Sequence, residues 1–263
     1  MKQMKFFALV LTFLMGVSLT SCIDEGESST AAGSIVKVVN YMGTVHFEGA
    51  NGIKYYPTTA SLATVESTYK FSTSSNVAYI YFSSAVANTS STGQTTDSYT
   101  VELTYAVSLD SKTEMPSARG ASNDSVSTAP IITLTAGGSN NVFMMDKQLV
   151  LGATYYTSKL HYFTLVYYPE ETTATSSELN LYLRHNSKGD TSKDATSYDY
   201  VMSNLAFMPL YYKAFDLSQI IYDFQMNTGK TTFTINVETQ ESSMGIILDD
   251  ATTKNYTLTY KEE

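Results

Sequence analysis

The 263-residue sequence has one cysteine, no tryptophan and three histidines. A lone thiol, Cys22, rules out an intramolecular disulfide framework. Basic residues are also few: 16 Lys and Arg stand against 25 Asp and Glu, for a formal net charge of −9. Phosphate contacts need a basic surface, so nucleic acid is not among the expected partners. No apolar run reaches the roughly 20 residues that a membrane-spanning helix needs. The sequence also lacks a Gly-x-Ser-x-Gly elbow, a His-Glu-x-x-His helix, a phosphate loop and a dinucleotide glycine fingerprint. No catalytic residue, metal or cofactor is therefore assigned, and a non-enzyme is expected.

What is present begins at the N-terminus. Lys2 and Lys5 precede an apolar stretch from Phe6 to Val17, and Leu19-Thr20-Ser21 runs straight into Cys22. That order reads as a signal peptide over residues 1–21. Leu-Thr-Ser-Cys resembles the lipobox of bacterial lipoproteins, in which the cysteine takes a diacylglycerol and the new amino terminus is acylated. One acyl chain binds a membrane only marginally, whereas two or three make a durable anchor. The plain alternative is an ordinary secretory signal with a chance cysteine. Residues 22–32, which include Asp24, Glu25 and Glu27, read as an acidic flexible tether. They are similar to the acidic stretch that directs lipoproteins of Bacteroides-type bacteria to the outer face of the outer membrane. The expected location is therefore the outer membrane, with the chain facing the cell exterior.

From Gly33 onward the pattern is that of strands, and the fold class expected is all-β. Tyr99, Val101, Leu103, Tyr105 and Val107 alternate with polar residues, as in a half-buried strand. Further strands are expected at Ser34–Val39, Gly43–Glu48, Ile53–Tyr56 and Val77–Phe82, with a turn at Asn51-Gly52. Five short strands over residues 33–110 suit a small barrel of the oligonucleotide/oligosaccharide-binding (OB) type. Residues 111–129 hold few apolar side chains and many turn formers, and are expected to be a linker. Within them Asp124-Ser125-Val126 resembles an O-glycosylation sequon of Bacteroides-type bacteria, with Ser125 as the acceptor. In residues 130–263 the runs Phe163/Leu165/Tyr167, Leu179/Leu181/Leu183, Phe233/Ile235/Val237 and Tyr256/Leu258/Tyr260 all fall at period two. An antiparallel β-sandwich is expected there. Leu217–Phe224 fits a short helix or a strand equally well.

Candidate site residues are sparse. His46 and Glu48 share a strand face, where a metal pair is conceivable but a solvent-facing position is the simpler reading. His161 reads as a strand-end residue. His185 and Asp190 bracket a turn that needs no ligand. The carboxylate pairs Glu170-Glu171 and Asp249-Asp250 carry little weight in an acidic chain. Tyrosine, present 21 times, is the remaining clue, because it can stack on a sugar or anchor a protein partner. Tyr55-Tyr56, Tyr167-Tyr168 and Tyr211-Tyr212 are adjacent pairs, and alternation exposes one member of each. Tyr55, Tyr56, Tyr211 and Tyr212 are the binding candidates.

Several segments in order carry a resemblance. After the lipobox come Asn40-Tyr41-Met42-Gly43-Thr44-Val45-His46-Phe47-Glu48 and Gly52-Ile53-Lys54-Tyr55-Tyr56-Pro57. His161-Tyr162-Phe163-Thr164-Leu165-Val166-Tyr167 and Leu181-Tyr182-Leu183-Arg184-His185-Asn186 follow. Together they resemble the NigD-like lipoprotein family, which implies an OB domain followed by a β-sandwich and a bacteriocin-associated or immunity role. No catalytic motif comes with it. A membrane-anchored module that binds a protein partner is the expected function. Glycan capture beside an outer-membrane importer is the alternative, and a fimbrial subunit, with Arg119-Gly120 as a cleavable bond, is a further one.

Overall fold

A computed structural model of the chain describes residues 31–89, 95–121, 129–136, 139–140, 142–193, 196–197, 199, 211–243 and 250–262. Residues 1–21, Cys22, nearly all of the expected tether, Ser125 and Asp249 lie outside the described residues. The chain divides into two compact units between Leu109 and Asp110.

The first unit comprises β1 (Ala32–Tyr41), β2 (Thr44–Gly49), β3 (Lys54–Pro57), helix α1 (Thr59–Tyr69), β4 (Val77–Thr89) and β5 (Thr95–Ser108). Its strands close into a barrel in the order β1-β2-β3-β5-β4, with β4 paired back to β1. Five strands closed in this way are the OB-type barrel that the sequence pattern implied. Alternation turns Val36 and Val38 of β1, Phe47 of β2 and Tyr55 of β3 inward, where they pack with Ile80, Phe82, Val101 and Leu103. Gly33 allows a close approach: a Cβ there would lie 2.0 Å from the Tyr79 hydroxyl, so any side chain would make that ring shift.

Helix α1 is an addition to the strands read from the sequence. The Thr58 hydroxyl caps it by accepting the Ser61 N–H at 3.3 Å, and Lys70 ends it in the left-handed region, at φ 57°. Only Leu62 and Val65 of the helix join the barrel core. So thin a stripe gives little helical signal.

The second unit holds β6 (Asp110–Glu114), β7 (Thr135–Ala136), β8 (Ser139–Asn140), β9 (Val142–Met145), β10 (Gln148–Gly152), β11 (Tyr162–Val166), β12 (Glu178–Asn186), β13 (Tyr212–Asp216), helix α2 (Ser218–Thr228), β14 (Thr232–Glu241) and β15 (Thr252–Lys261). Eight strands form one sheet in the order β15-β14-β12-β11-β6-β13-β10-β9, and β7 and β8 pair separately. The unit is β-built as expected, but its ladder is mixed: β6 runs parallel to both β11 and β13, and β12 runs parallel to β14.

The start of the expected linker is therefore corrected. Asp110–Glu114 is a strand inside the sheet, held by ladder hydrogen bonds on both sides although the segment carries no apolar side chain. A hydrophobicity pattern cannot report a strand of that kind. The residues at period two line one core: Phe163, Leu165, Leu179, Leu181, Leu183, Phe233, Ile235 and Val237 pack with Leu149, Leu151 and Phe215. Each such burial contributes about 1.5–3 kcal/mol.

The open segment resolves as helix α2. Asp216 accepts the Ser218 N–H at 2.9 Å, and Gly229 ends the helix at φ 69° with its N–H on the Gln225 carbonyl. Ile220, Ile221 and Phe224 face the core, a spacing that a strand could not bury on one side.

Candidate binding face on the barrel

The outward side of β1, β2 and β3 is the mirror of the packing just described. With Val36, Val38, Phe47 and Tyr55 inside, Lys37, Val39, Tyr41, His46, Glu48, Lys54 and Tyr56 face away from the core. Register aligns them in rows. Lys37 lies opposite Glu48 and Glu48 opposite Lys54, while Val39 lies opposite His46 and Tyr41 opposite Thr44.

The charged row is held together locally. Glu48 Oε1 lies 3.1 Å from His46 Nε2 and 3.5 Å from Lys54 Nζ. The hydrogen bond from His46, with help from Lys54, holds the Glu48 carboxyl below its ordinary range despite partial burial. His46 also stacks on Tyr56, with ring centroids 5.2 Å apart and planes within 24°. His46 and Glu48 thus engage each other directly, in a surface cluster with an aromatic platform beside it.

Above this cluster the face ends in an apolar tip. Met42 and Gly43 occupy the two-residue β1–β2 turn with φ of 50° and 83°. Positive φ at both positions is the type I′ geometry that matches strand twist. Tyr41 is 69% and Met42 88% exposed. The face therefore offers aromatic and thioether surface at its tip and a Lys–Glu–Lys row at its base. That combination suits noncovalent recognition.

The tyrosine candidates part company here. Tyr56 sits on the face, half-buried against His46. Tyr55 points into the barrel between Phe82 and Tyr99, and burial raises its phenol pKa. Tyr211 and Tyr212 are both buried and meet edge-on with centroids 4.6 Å apart. The expected exposure of one member fails for that pair because β13 lies inside the sheet and is covered on both faces. Tyr167 and Tyr168 are likewise both buried. Tyr55, Tyr211 and Tyr212 are thus packing residues, and the exposed tip residues Tyr41 and Met42 take their place as contact candidates.

Of the acidic pairs, Glu171 binds the Arg119 guanidinium and accepts the Tyr182 hydroxyl at 2.5 Å, and Glu170 accepts the Arg119 backbone N–H at 3.2 Å. Arg119 also lies 4.0 Å from the Tyr182 ring centroid. These contacts fasten the chain after β6 to the sheet.

The second unit contains a polar cluster that strand-by-strand reading passed over. His161 Nδ1 lies 2.8 Å from His185 Nε2, and His161 Nε2 lies 3.0 Å from Asp190 Oδ2. His185 Nδ1 is 3.2 Å from the Pro130 carbonyl. Asp190 also accepts the Ser158 N–H at 2.6 Å, the Ser158 hydroxyl at 2.9 Å and the Ser192 N–H at 2.9 Å. Burial alone would raise the Asp190 carboxyl, but these donors outweigh it and hold the group well below the usual range. Phe163 stacks on His185 at 4.5 Å and Tyr155 on His161 at 5.0 Å. The ammonium of buried Lys213 lies 5.0 Å from the Phe163 ring centroid, and burial pushes that lysine down to about 7. The signal was available: the parity of Phe163 and Leu165 extends to His161, and that of Leu179, Leu181 and Leu183 extends to His185. Among the described residues, no group of three or more His, Cys, Asp and Glu is arranged to hold a metal ion.

No family model matches the sequence, and no curated protein matches it. Solved structures do. A candidate lipoprotein from Bacteroides fragilis NCTC 9343 aligns over 88% of this chain and 99% of its own, with 22% identity and a TM-score of 0.66. A candidate toxin-related protein from Parabacteroides distasonis ATCC 8503 aligns over 88% and 94%, with 16% identity and a TM-score of 0.52. A NigD-like immunity protein from Bacteroides caccae ATCC 43185 aligns over 91% of this chain and all of its own, with 16% identity and a TM-score of 0.52. At these identities the likeness is one of fold, shared with the NigD-like immunity protein among others.

Proposed function

We propose that this chain is a lipid-anchored envelope protein that acts without catalysis, by holding a protein partner on the β1–β3 face of its barrel. The observation that carries the reading is the face itself: Tyr41 and Met42 stand exposed above the stacked His46 and Tyr56, beside a Lys–Glu–Lys row. Anchorage rests on Cys22 and the lipobox before it, and the outward orientation at the outer membrane rests on the acidic tether. An immunity role is supported by the fold shared with the Bacteroides caccae immunity protein.

Protection is the test. Cells deleted for the chain are challenged with bacteriocins of neighbouring strains and complemented with wild type, Cys22→Ala or a Tyr41→Asp/Met42→Asp double variant. Wild type is expected to restore survival and both variants to fail. Equal survival in all strains removes the immunity role, and full rescue by the double variant removes the face. Protease treatment of intact cells reads the orientation, since a protected chain faces inward.

A second reading, glycan capture, is favoured by one feature: a flat Tyr56–His46 stack flanked by Glu48 and Lys54 is the kind of surface on which a sugar ring rests. A glycan array on which wild type and Tyr56→Ala give the same signal, or none, excludes it.

A further inference from the structure

The buried chain of contacts in the second unit begins and ends on acceptors. Asp190 Oδ2 stands at one end, the Pro130 carbonyl at the other, and four imidazole nitrogens lie between. Three contacts at 2.8–3.2 Å need three protons. Two neutral imidazoles carry only two, one on each ring. With both rings neutral, one contact must therefore set two lone pairs against each other.

We propose that His161 and His185 form one proton-binding site, in which a third proton resides on His161 and completes the chain from Asp190 to the Pro130 carbonyl. The assignment to His161 follows from its neighbours. It touches the Asp190 carboxylate, which the Ser158 and Ser192 donors keep ionised, whereas His185 has the His161 ring and the backbone of Pro130 and Ala129 beside it and no carboxylate. In the loaded state His161 donates from both nitrogens, and His185 accepts at Nε2 while donating from Nδ1 to Pro130.

The groups facing the pair set where loading occurs. Asp190 attracts the proton, and Lys213 from β13 and Lys159 from the preceding loop repel it. Tyr155 is a neutral phenol, its pKa raised by burial, and Phe163 is apolar. Burial, the largest influence on either ring, moves loading to the acid side of the ordinary imidazole value. In the unloaded state the missing proton falls at the His161–His185 or the His185–Pro130 contact, because a lone pair opposite the carboxylate is the least favourable choice. Where the gap lies at the Pro130 contact, loading ties residues 129–130 more firmly to β12, where the Ala129 N–H already donates to the His185 carbonyl at 2.9 Å. The site makes the second unit responsive to the pH around it.

The test is a titration of the full mature chain labelled with 15N-histidine, read by long-range 1H–15N correlations that separate imidazolium from each neutral tautomer. A His46→Gln variant assigns the barrel signal, leaving the pair. On acidification His161 is expected to pass to the imidazolium pattern while His185 becomes Nδ1-protonated and neutral. Lys213→Met is expected to raise the His161 midpoint by about one pH unit, and Asp190→Asn to lower it by at least as much. A His161 that stays neutral down to acid unfolding, or a His185 that is charged or Nε2-protonated once His161 is loaded, overturns the proposal. The wild-type titration decides this even if neither variant folds.

Discussion

The two units handle polar side chains in opposite ways. In the barrel, His46 and Glu48 alternate with Phe47, so charge goes to the surface and the interior stays apolar. In the second unit the inward parity of β11 and β12 runs on to His161 and His185, and the sheet closes over both, together with Asp190 and Lys213. The lesson is that alternation decides which way a side chain points. Whether that direction is wet or dry is decided by what else covers it.

The largest effect expected from breaking this contrast lies between neighbours on β2. Phe47→Ala removes a fully buried ring and should cost about 3–5 kcal/mol in chemical denaturation. His46→Ala, one residue away on the outward side, should cost about 1 kcal/mol, since a partly exposed ion pair contributes little. Comparable losses from the two variants would mean that the outward cluster supports the barrel and is not free to serve a partner.

The next effect is a pH dependence confined to the second unit. Burial, then the neighbouring His161 ring, brings His185 down to about 3, and burial also lowers His161. A histidine that binds protons more weakly folded than unfolded favours the folded state above its ordinary value near 6.5. That advantage is lost as pH falls through this value towards the folded one. For His185 alone, moving from pH 7 to pH 5 should remove about 2 kcal/mol. Amide exchange in β12, at Leu181, should therefore quicken about 30-fold relative to β1, at Val36, over that interval after correction for intrinsic rates. Equal changes at the two amides would show that the buried pair is not what sets the acid response.

Much of the fold was legible because it obeys local rules. The strands at Ser34–Val39, Gly43–Glu48 and Val77–Phe82 announced a five-stranded barrel, and the period-two runs announced the core of the second sheet. What stayed hidden depends on partners distant in sequence. Asp110–Glu114 is a strand only because β11 and β13 flank it, and helix α1 buries too narrow a stripe to reveal itself. The same holds for the sites. Adjacent tyrosines promised exposure, but Tyr212 lies on an inner strand, whereas the turn at Met42-Gly43 was visible only as a short break between strands. The His161–His185 contact needed the β11–β12 register, in which Phe163 lies opposite His185.

The smallest predicted change tests the barrel face most sharply. Four non-glycine residues among those described have positive φ: Met42, Lys70, Asp146 and Lys188. Three are polar, and Met42 alone is apolar, while its 88% exposure means that burial does not offset the strain. A left-handed backbone costs such a residue about 1–2 kcal/mol, whereas asparagine adopts it more cheaply through local hydrogen bonds. Met42→Asn should therefore stabilise the barrel by about 1 kcal/mol in urea denaturation. If the tip is a contact surface, the same variant should lose partner-dependent protection of the cell, gaining stability as it loses function. A stabilised variant that still protects would make Met42 a tolerated misfit and move the contact surface away from the turn.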